Sequence, residues 1–442
     1  MKKKVLSLLL VAIFSFSFLT ACGGESNGED STKQEENSEG GSEIAIDSGA
    51  GEGKVKIQTV QWNAIPEGEL DYNEAFMDAN PNIEVDTLIV PEDEYSTKIN
   101  SMVMAGTAPD VMLVWECDIS KLITNGMVDP LDKYIDETDE FSTDDLIPAV
   151  SKLSKMTDGT YGLPWCYAAE ILYYNKDMFD EAGVDYPTNE WTWKDFEEAA
   201  KSLTIVEDGK TVQWGCDAFT IPGIWFSTIG AAGDDIFIDG RLQLGEGAKK
   251  ALEWQYDLTN TYKVCPQPAA SGASDVADLF MAGQAAMTRT GSWMCSVYKD
   301  ITDFKWDIAP LPKGERDYNS LHTGFYTIYT NSENKDAAWR YIEWMLSDEG
   351  QEIICKATGN PSARKSIEEK GFYRVEGKNG PTNWDAFAKS AESGQFGYVL
   401  APQGLTNYAV QLFSAAMLDE ISIEDALLQI EEESQKIAEE NK

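Results

Sequence analysis

Gly106-Thr107-Ala108-Pro109-Asp110-Val111-Met112-Leu113-Val114-Trp115-Glu116-Cys117-Asp118 reads as a Gly/Pro turn, an unbroken apolar strand and a polar exit. An apolar run without alternation is the pattern of a strand covered on both faces, as in a parallel sheet flanked by helices. Upstream, residues 55–60 alternate apolar and polar and deliver Trp62-Asn63, and residues 85–90 form a second strand. Between them, residues 69–80 predict a helix stopped by Asn80-Pro81, and residues 96–105 predict another that leads into the quoted stretch. This alternation of strand and helix predicts an α/β fold. Ligands in such sheets sit beyond the carboxyl ends of the strands, which places Trp62 and Trp115 at a cleft, with a core position the alternative for each.

Downstream, the turn-rich residues 159–165 precede an aromatic strand over 169–174. Thr192 and Asp195 predict a capping box, followed by Phe196, Ala199, Ala200 and Leu203 on one helical face, so Trp193 reads as structural. A helix from Ser274 through Leu279 and Phe280 ends at Gly283, and a strand over 285–288 feeds Gly291-Ser292-Trp293. Gly291 offers close backbone approach to a ligand and Trp293 a flat apolar face. A strand over 324–330 and helices over 336–346 and 421–439 complete the pattern.

The chain starts with Lys2, Lys3 and Lys4, followed by an apolar-biased stretch to Leu19 and then Thr20-Ala21-Cys22. That is a signal-peptide layout, and the stretch is short against the roughly 20 residues of a membrane span. The junction resembles the lipobox of bacterial lipoproteins, which implies cleavage before Cys22 and diacylation of its thiol. Residues 23–53 carry nine acidic residues against Lys33 alone, the composition of a disordered, self-repelling tether. Roughly 390 residues then remain, enough for two lobes. Removing residues 1–21 takes the formal charge from −41 to −44, because three lysines leave. Such acidity disfavours nucleic acid as a partner.

Besides Cys22 there are six cysteines, 117, 166, 216, 265, 295 and 355. Their wide spacing rules out a C-x-x-C metal motif, and the sequence does not choose among disulfide pairings. Burial as structural thiols is the reading for most. His322 is the only histidine, so His-based metal clusters and H-E-x-x-H sites are excluded, and no phosphate-loop, dinucleotide or G-x-S-x-G motif is present. His322 itself either faces the cleft or is a satisfied structural residue, and we favour the second. No metal and no cofactor are expected. With 76 acidic residues, a carboxylate pair for glycoside hydrolysis could always be nominated, so its presence carries no information.

Ala105-Gly106-Thr107-Ala108-Pro109-Asp110-Val111, Tyr161-Gly162-Leu163-Pro164, and Leu172-Tyr173-Tyr174-Asn175-Lys176-Asp177-Met178-Phe179 with Ala182-Gly183 begin a series of motifs. Trp191-Thr192-Trp193-Lys194-Asp195-Phe196, Phe280-Met281-Ala282-Gly283-Gln284-Ala285-Ala286-Met287 with Gly291-Ser292-Trp293, and Gly359-Asn360-Pro361-Ser362-Ala363-Arg364 continue it. Together they resemble the extracellular solute-binding proteins of family 1, the maltose-binding-protein-like group of ABC sugar importers. The resemblance spans nearly everything from Lys54 onward. It implies a two-lobed, periplasmic-binding-protein-like α/β fold, each lobe a mainly parallel sheet flanked by helices. The lobes comprise 54–164 plus 310–358 and 165–309 plus 359–442, with crossings near 164–168, 310–316 and 358–363.

It also implies a mono- or oligosaccharide held between the lobes without bond cleavage, a permease partner, a lipid-anchored extracytoplasmic location and a monomeric state. Sugars need aromatic plates and polar partners. By position these are Trp62, Trp115, Tyr167, Trp225 and Trp293, then Asn63, Glu67, Glu116, Asp118 and Arg364, with Gly291 for close approach and Tyr408 near the end. The alternatives are a binding protein for a non-sugar solute such as a peptide or polyamine, and a surface glycan-active enzyme.

Overall fold

The computed structural model describes residues 54–62, 72–138, 141–150, 155–156, 159–218, 221–238, 240–268, 278–375 and 377–440. The signal peptide and tether read from the sequence lie outside them. No helix among the described residues is long and apolar enough to cross a membrane.

The first sheet is built from β1 (Val55–Trp62), β2 (Ile83–Val90), β3 (Val111–Trp115), β4 (Leu163–Pro164) and a later strand, β9 (Gly324–Ile328), in the order β2-β1-β3-β9-β4. β1 pairs in parallel with β2 and β3, as the turn-strand pattern predicts. The apolar run of β3 is explained by its two covered faces. Val111 and Leu113 join Ile57, Phe76, Tyr341 and Ile342 in one core, while Met112 and Val114 join Val60, Tyr95, Ile99 and Leu122 in another. Helices α1 (Tyr72–Ala79), α2 (Tyr95–Met104) and α3 (Glu116–Thr124) supply the residues between, and α3 begins directly where β3 ends.

The second sheet centres on β5 (Ala168–Asn175), all eight residues of which are buried. Helices α4 (Trp193–Leu203), α5 (Pro222–Ala231) and α6 (Glu246–Tyr256) follow, α4 carrying the expected Thr192–Asp195 capping box. β6 (Met287–Gly291), β7 (Trp306–Pro310) and β8 (Asn319–His322) then pair with β5. All three pairings are antiparallel, and in the first sheet β9 runs antiparallel to β3 and β4, so the two-lobed α/β fold carries mixed sheets where mainly parallel ones were expected. The cause is the route of the chain. β5 leaves the junction between the sheets while β8 returns to it, and neighbouring strands that leave and return must run in opposite directions. Leu279–Gly283 runs as turns; the expected helix start at Ser274 lies outside the described residues.

The expected crossing at 310–316 is also displaced. Pro310 closes β7 opposite Ile171, and Arg316 donates to Gly230 O at 2.7 Å and Asp235 Oδ1 at 3.0 Å in the same lobe. The Pro/Gly cluster is therefore a loop within one sheet, and the chain changes sheets at Thr323, between β8 and β9. This passage runs beside the first one: Trp165 N donates to Gly324 O at 3.1 Å and Thr323 Oγ1 to Cys166 O at 2.6 Å. Tyr167 N in turn donates to Pro361 O at 3.0 Å, which brings the 359–363 segment alongside. Three backbone segments thus lie together at the seam, the arrangement of a hinge.

Helix α7 (Lys335–Met345) packs on the first sheet and α8 (Asp348–Thr358) on α1 and α7, and α9 (Asp385–Glu392) precedes the short β10 (Gly394–Gln395), which pairs with β8. Helices α10 (Gln403–Met417) and α11 (Ile423–Glu440) join α5 and α6 in a third core through Phe413, Met417, Ala426 and Ile430. One disulfide, Cys216–Cys265, is present; among the described residues Cys166, Cys295 and Cys355 are free and buried, and Cys117 is free and half-buried.

Candidate functional site

Because β1 and β3 are parallel neighbours, their last residues emerge side by side. Trp62 and Trp115 meet there with ring centroids 5.6 Å apart, and Trp62 also lies edge-on to Tyr95 at 5.5 Å and to Trp165 at 5.3 Å. Both predicted tryptophans are half-buried. The next residue, Glu116, turns into the junction with its side chain 7% exposed and accepts a hydrogen bond from Thr323 N at 3.3 Å.

His322, the last residue of β8, faces that glutamate from the second lobe. Its Nδ1 lies 3.9 Å from Glu116 Oε1 and its Nε2 2.9 Å from Glu170 Oε1 on β5. The Tyr398 hydroxyl is 3.4 Å from the same Nε2, and Trp293 stands edge-on to the imidazole at 5.8 Å. The first turn of α5 closes the other side: a Cβ on Gly223 would overlap Glu170 Oε1 and lie 3.2 Å from His322 Nε2. His322 is thus both satisfied and at the seam, with 23% of its side chain exposed.

Burial pushes the Glu116 carboxyl up to about 7, with His322 and the Thr323 amide pulling only partly the other way. Burial alone would lower His322, but the hydrogen bond and charge of Glu170, with the charges of Glu116 and Glu92, outweigh it and raise the imidazole above its ordinary value.

Other expected site residues fall elsewhere. Tyr167 is 1% exposed in the first core, fixed by its place in the crossing segment. Trp225 is 2% exposed on α5 and packs on Phe413 at 5.5 Å, because α5 is buried on all sides from Gly223 to Ala231. Arg364 donates to Asp145 Oδ2 at 2.9 Å and to Leu346 O at 2.6 Å, an ion pair that ties loops together. Asp118 accepts from Ser96 and from Asn100, at 3.2 Å in the latter case, and so fastens α3 to α2. The space beside Gly291 is filled by the Trp293 indole, not left open for a ligand. The Tyr408 hydroxyl lies 3.5 Å from Gln429 Oε1 on α11, away from the His322 group. Asn63, Glu67 and the Cys22 lipidation site lie outside the described residues.

Sequence reasoning missed Glu170, Trp165 and Tyr398. Glu170 carried a usable signal: it is the lone charge in the apolar strand Ala168–Asn175, where burial of an acid demands a partner. A separate cavity of about 280 Å³, lined by Trp193, Lys194, Lys250, Lys313 and Glu315 among others, lies beside α4, and its lysines are paired with Glu198, Glu315, Glu190 and Asp317.

Residues 62–352 match the family model described as bacterial extracellular solute-binding protein. The chain belongs to this family. Its members are solute-binding proteins, and the solved structures similar to this chain are two-lobed periplasmic binding proteins. A solved structure, an ABC substrate-binding protein from Listeria monocytogenes in complex with cycloalternan, superposes with a TM-score of 0.76 at 25% identity, covering 87% of this chain and 99% of that one. The maltotriose-binding protein of Pyrococcus abyssi is 25% identical over 315 residues, 67% of this chain and 63% of its own length. The maltooligosaccharide ABC transporter solute-binding lipoprotein of Streptococcus pneumoniae is 23% identical over 292 residues, 62% of this chain and 63% of its own.

Proposed function

We propose that this protein captures a sugar or oligosaccharide between its two lobes and delivers it to an ABC transporter permease, without breaking a bond. The observation that carries this reading is the convergence at the seam. Half-buried Trp62 and Trp115 stand on one lobe and Trp293 on the other, with Glu116, Glu170, His322 and Tyr398 supplying polar groups between them. Indole faces match the C–H faces of a pyranose, and the polar groups match its hydroxyls. The saccharide relatives support the same ligand class. A ligand touching both lobes favours the closed form, which a permease can distinguish from the open one. Lipidation at Cys22 and the acidic tether of residues 23–53 hold the body near that permease on the extracytoplasmic face.

The test is a thermal-shift screen against neutral oligosaccharides, with chromatography of the sugar afterwards. A bound saccharide at a hundred times its dissociation constant stabilises by about 2.7 kcal/mol, and the sugar is recovered intact. Release of shorter saccharides would instead make the protein an enzyme. Trp62→Ala weakens the best ligand by about 30-fold, the order of a 2 kcal/mol anchor, as calorimetry measures it.

A further inference from the structure

We propose that Glu116 and Glu170, one from each lobe, make the cleft select its ligand by charge: saccharides offering hydroxyl or ammonium donors are held, and those carrying a carboxylate or phosphate are refused. The proposal rests on the carbohydrate reading above and adds a ligand class to it.

Three observations carry it. Both carboxyl groups are withdrawn from solvent, with side-chain exposures of 7% for Glu116 and 0% for Glu170. Glu170 Oε2 is buried with no hydrogen-bond partner, while Oε1 faces His322. A buried acceptor without a donor is costly, and a ligand hydroxyl or ammonium reaching the seam would satisfy it. Finally, among the described residues the cation paired with Glu116 and Glu170 is His322, already shared between them. The ion pairs of Glu116 and Glu170 both go to His322, and Arg364, the guanidinium the sequence suggested, is held by Asp145.

His322 does not rescue an anion, because its Nε2 is turned to Glu170 and its Nδ1 faces Glu116. An entering carboxylate therefore meets Glu170 and, as pH rises past the raised value of Glu116 near 7, a second negative charge, where water screens them little. Gly223 fixes the arrangement, since any side chain there would take the space of Glu170 Oε1.

Calorimetry with maltotriose, mannotriose and cellotriose, each also as its C6-carboxylate and C6-amino form, tests this on the full folded chain. The expected result is that at least one neutral trisaccharide binds, its amino form binds within threefold or more tightly, and its carboxylate binds at least tenfold more weakly. In Glu170→Gln the gap between neutral and carboxylate forms narrows; Glu116→Gln is the second variant if the first fails to fold. A carboxylate form that binds within tenfold of its neutral parent overturns the charge selection while leaving the carbohydrate reading intact, as does a gap unchanged in both variants. Absence of binding by every form overturns the carbohydrate reading itself.

Discussion

Cys216→Ala combined with Cys265→Ala lowers unfolding stability by about 4 kcal/mol, measured by urea unfolding with each variant's own slope, which rises as the unfolded chain expands. The two cysteines are 49 residues apart, and closing a loop of that length removes much of the conformational freedom of the unfolded chain. The native side offers no compensation for the loss. Both sulfurs are buried, and Cys216 N donates to Val264 O at 3.1 Å in the core formed by Ala200, Leu258 and Val264. That core is separate from the ones holding Trp62 and Trp115, so ligand affinity changes less than threefold in the same variant. A stability loss below 1 kcal/mol would mean that the link constrains little.

The second large effect is on pH. Glu116 has its carboxyl raised from 4.5 to about 7, so between those values the folded chain holds a proton that the unfolded chain has released. Stability therefore falls as pH rises through this window, by up to about 3 kcal/mol, taking 1.36 kcal/mol per unit. His322 acts in the same sense. Its raised value gives a stabilisation that is complete below 6.5 and lost as pH rises through the folded value. Glu170, Glu92, Glu116 and the Tyr398 hydroxyl are the groups that face it. Unfolding free energies at pH 5, 6, 7 and 8 should decline steadily, and Glu116→Gln should flatten most of that slope. A slope unchanged in Glu116→Gln would place the titrating group elsewhere.

The parts of the site that were legible in the sequence are those that follow from strand polarity. Val111–Trp115 announced a doubly covered strand, and a parallel neighbour then had to bring Trp62 beside Trp115. Glu116 followed because it is the next residue. What stayed hidden depends on chain segments far apart in sequence. His322 and Glu170 are separated by 152 residues and Arg364 and Asp145 by 219, and no local pattern reports such pairings. Trp225 misled for a different reason: α5 has no polar face, so periodicity could not say which side, if any, was open. Thr323 lies between two short buried strands, and the hinge there is marked by no proline or glycine cluster of the kind that drew attention to 310–316.

The central claim, a saccharide held at the seam by aromatic faces, is tested most directly by a crystal structure of the protein with a neutral oligosaccharide bound. In that structure a pyranose ring lies against Trp62 or Trp115 and donates a hydroxyl to Glu170 or Glu116. A saccharide seated instead in the cavity beside Trp193, with the seam empty of sugar, would contradict it.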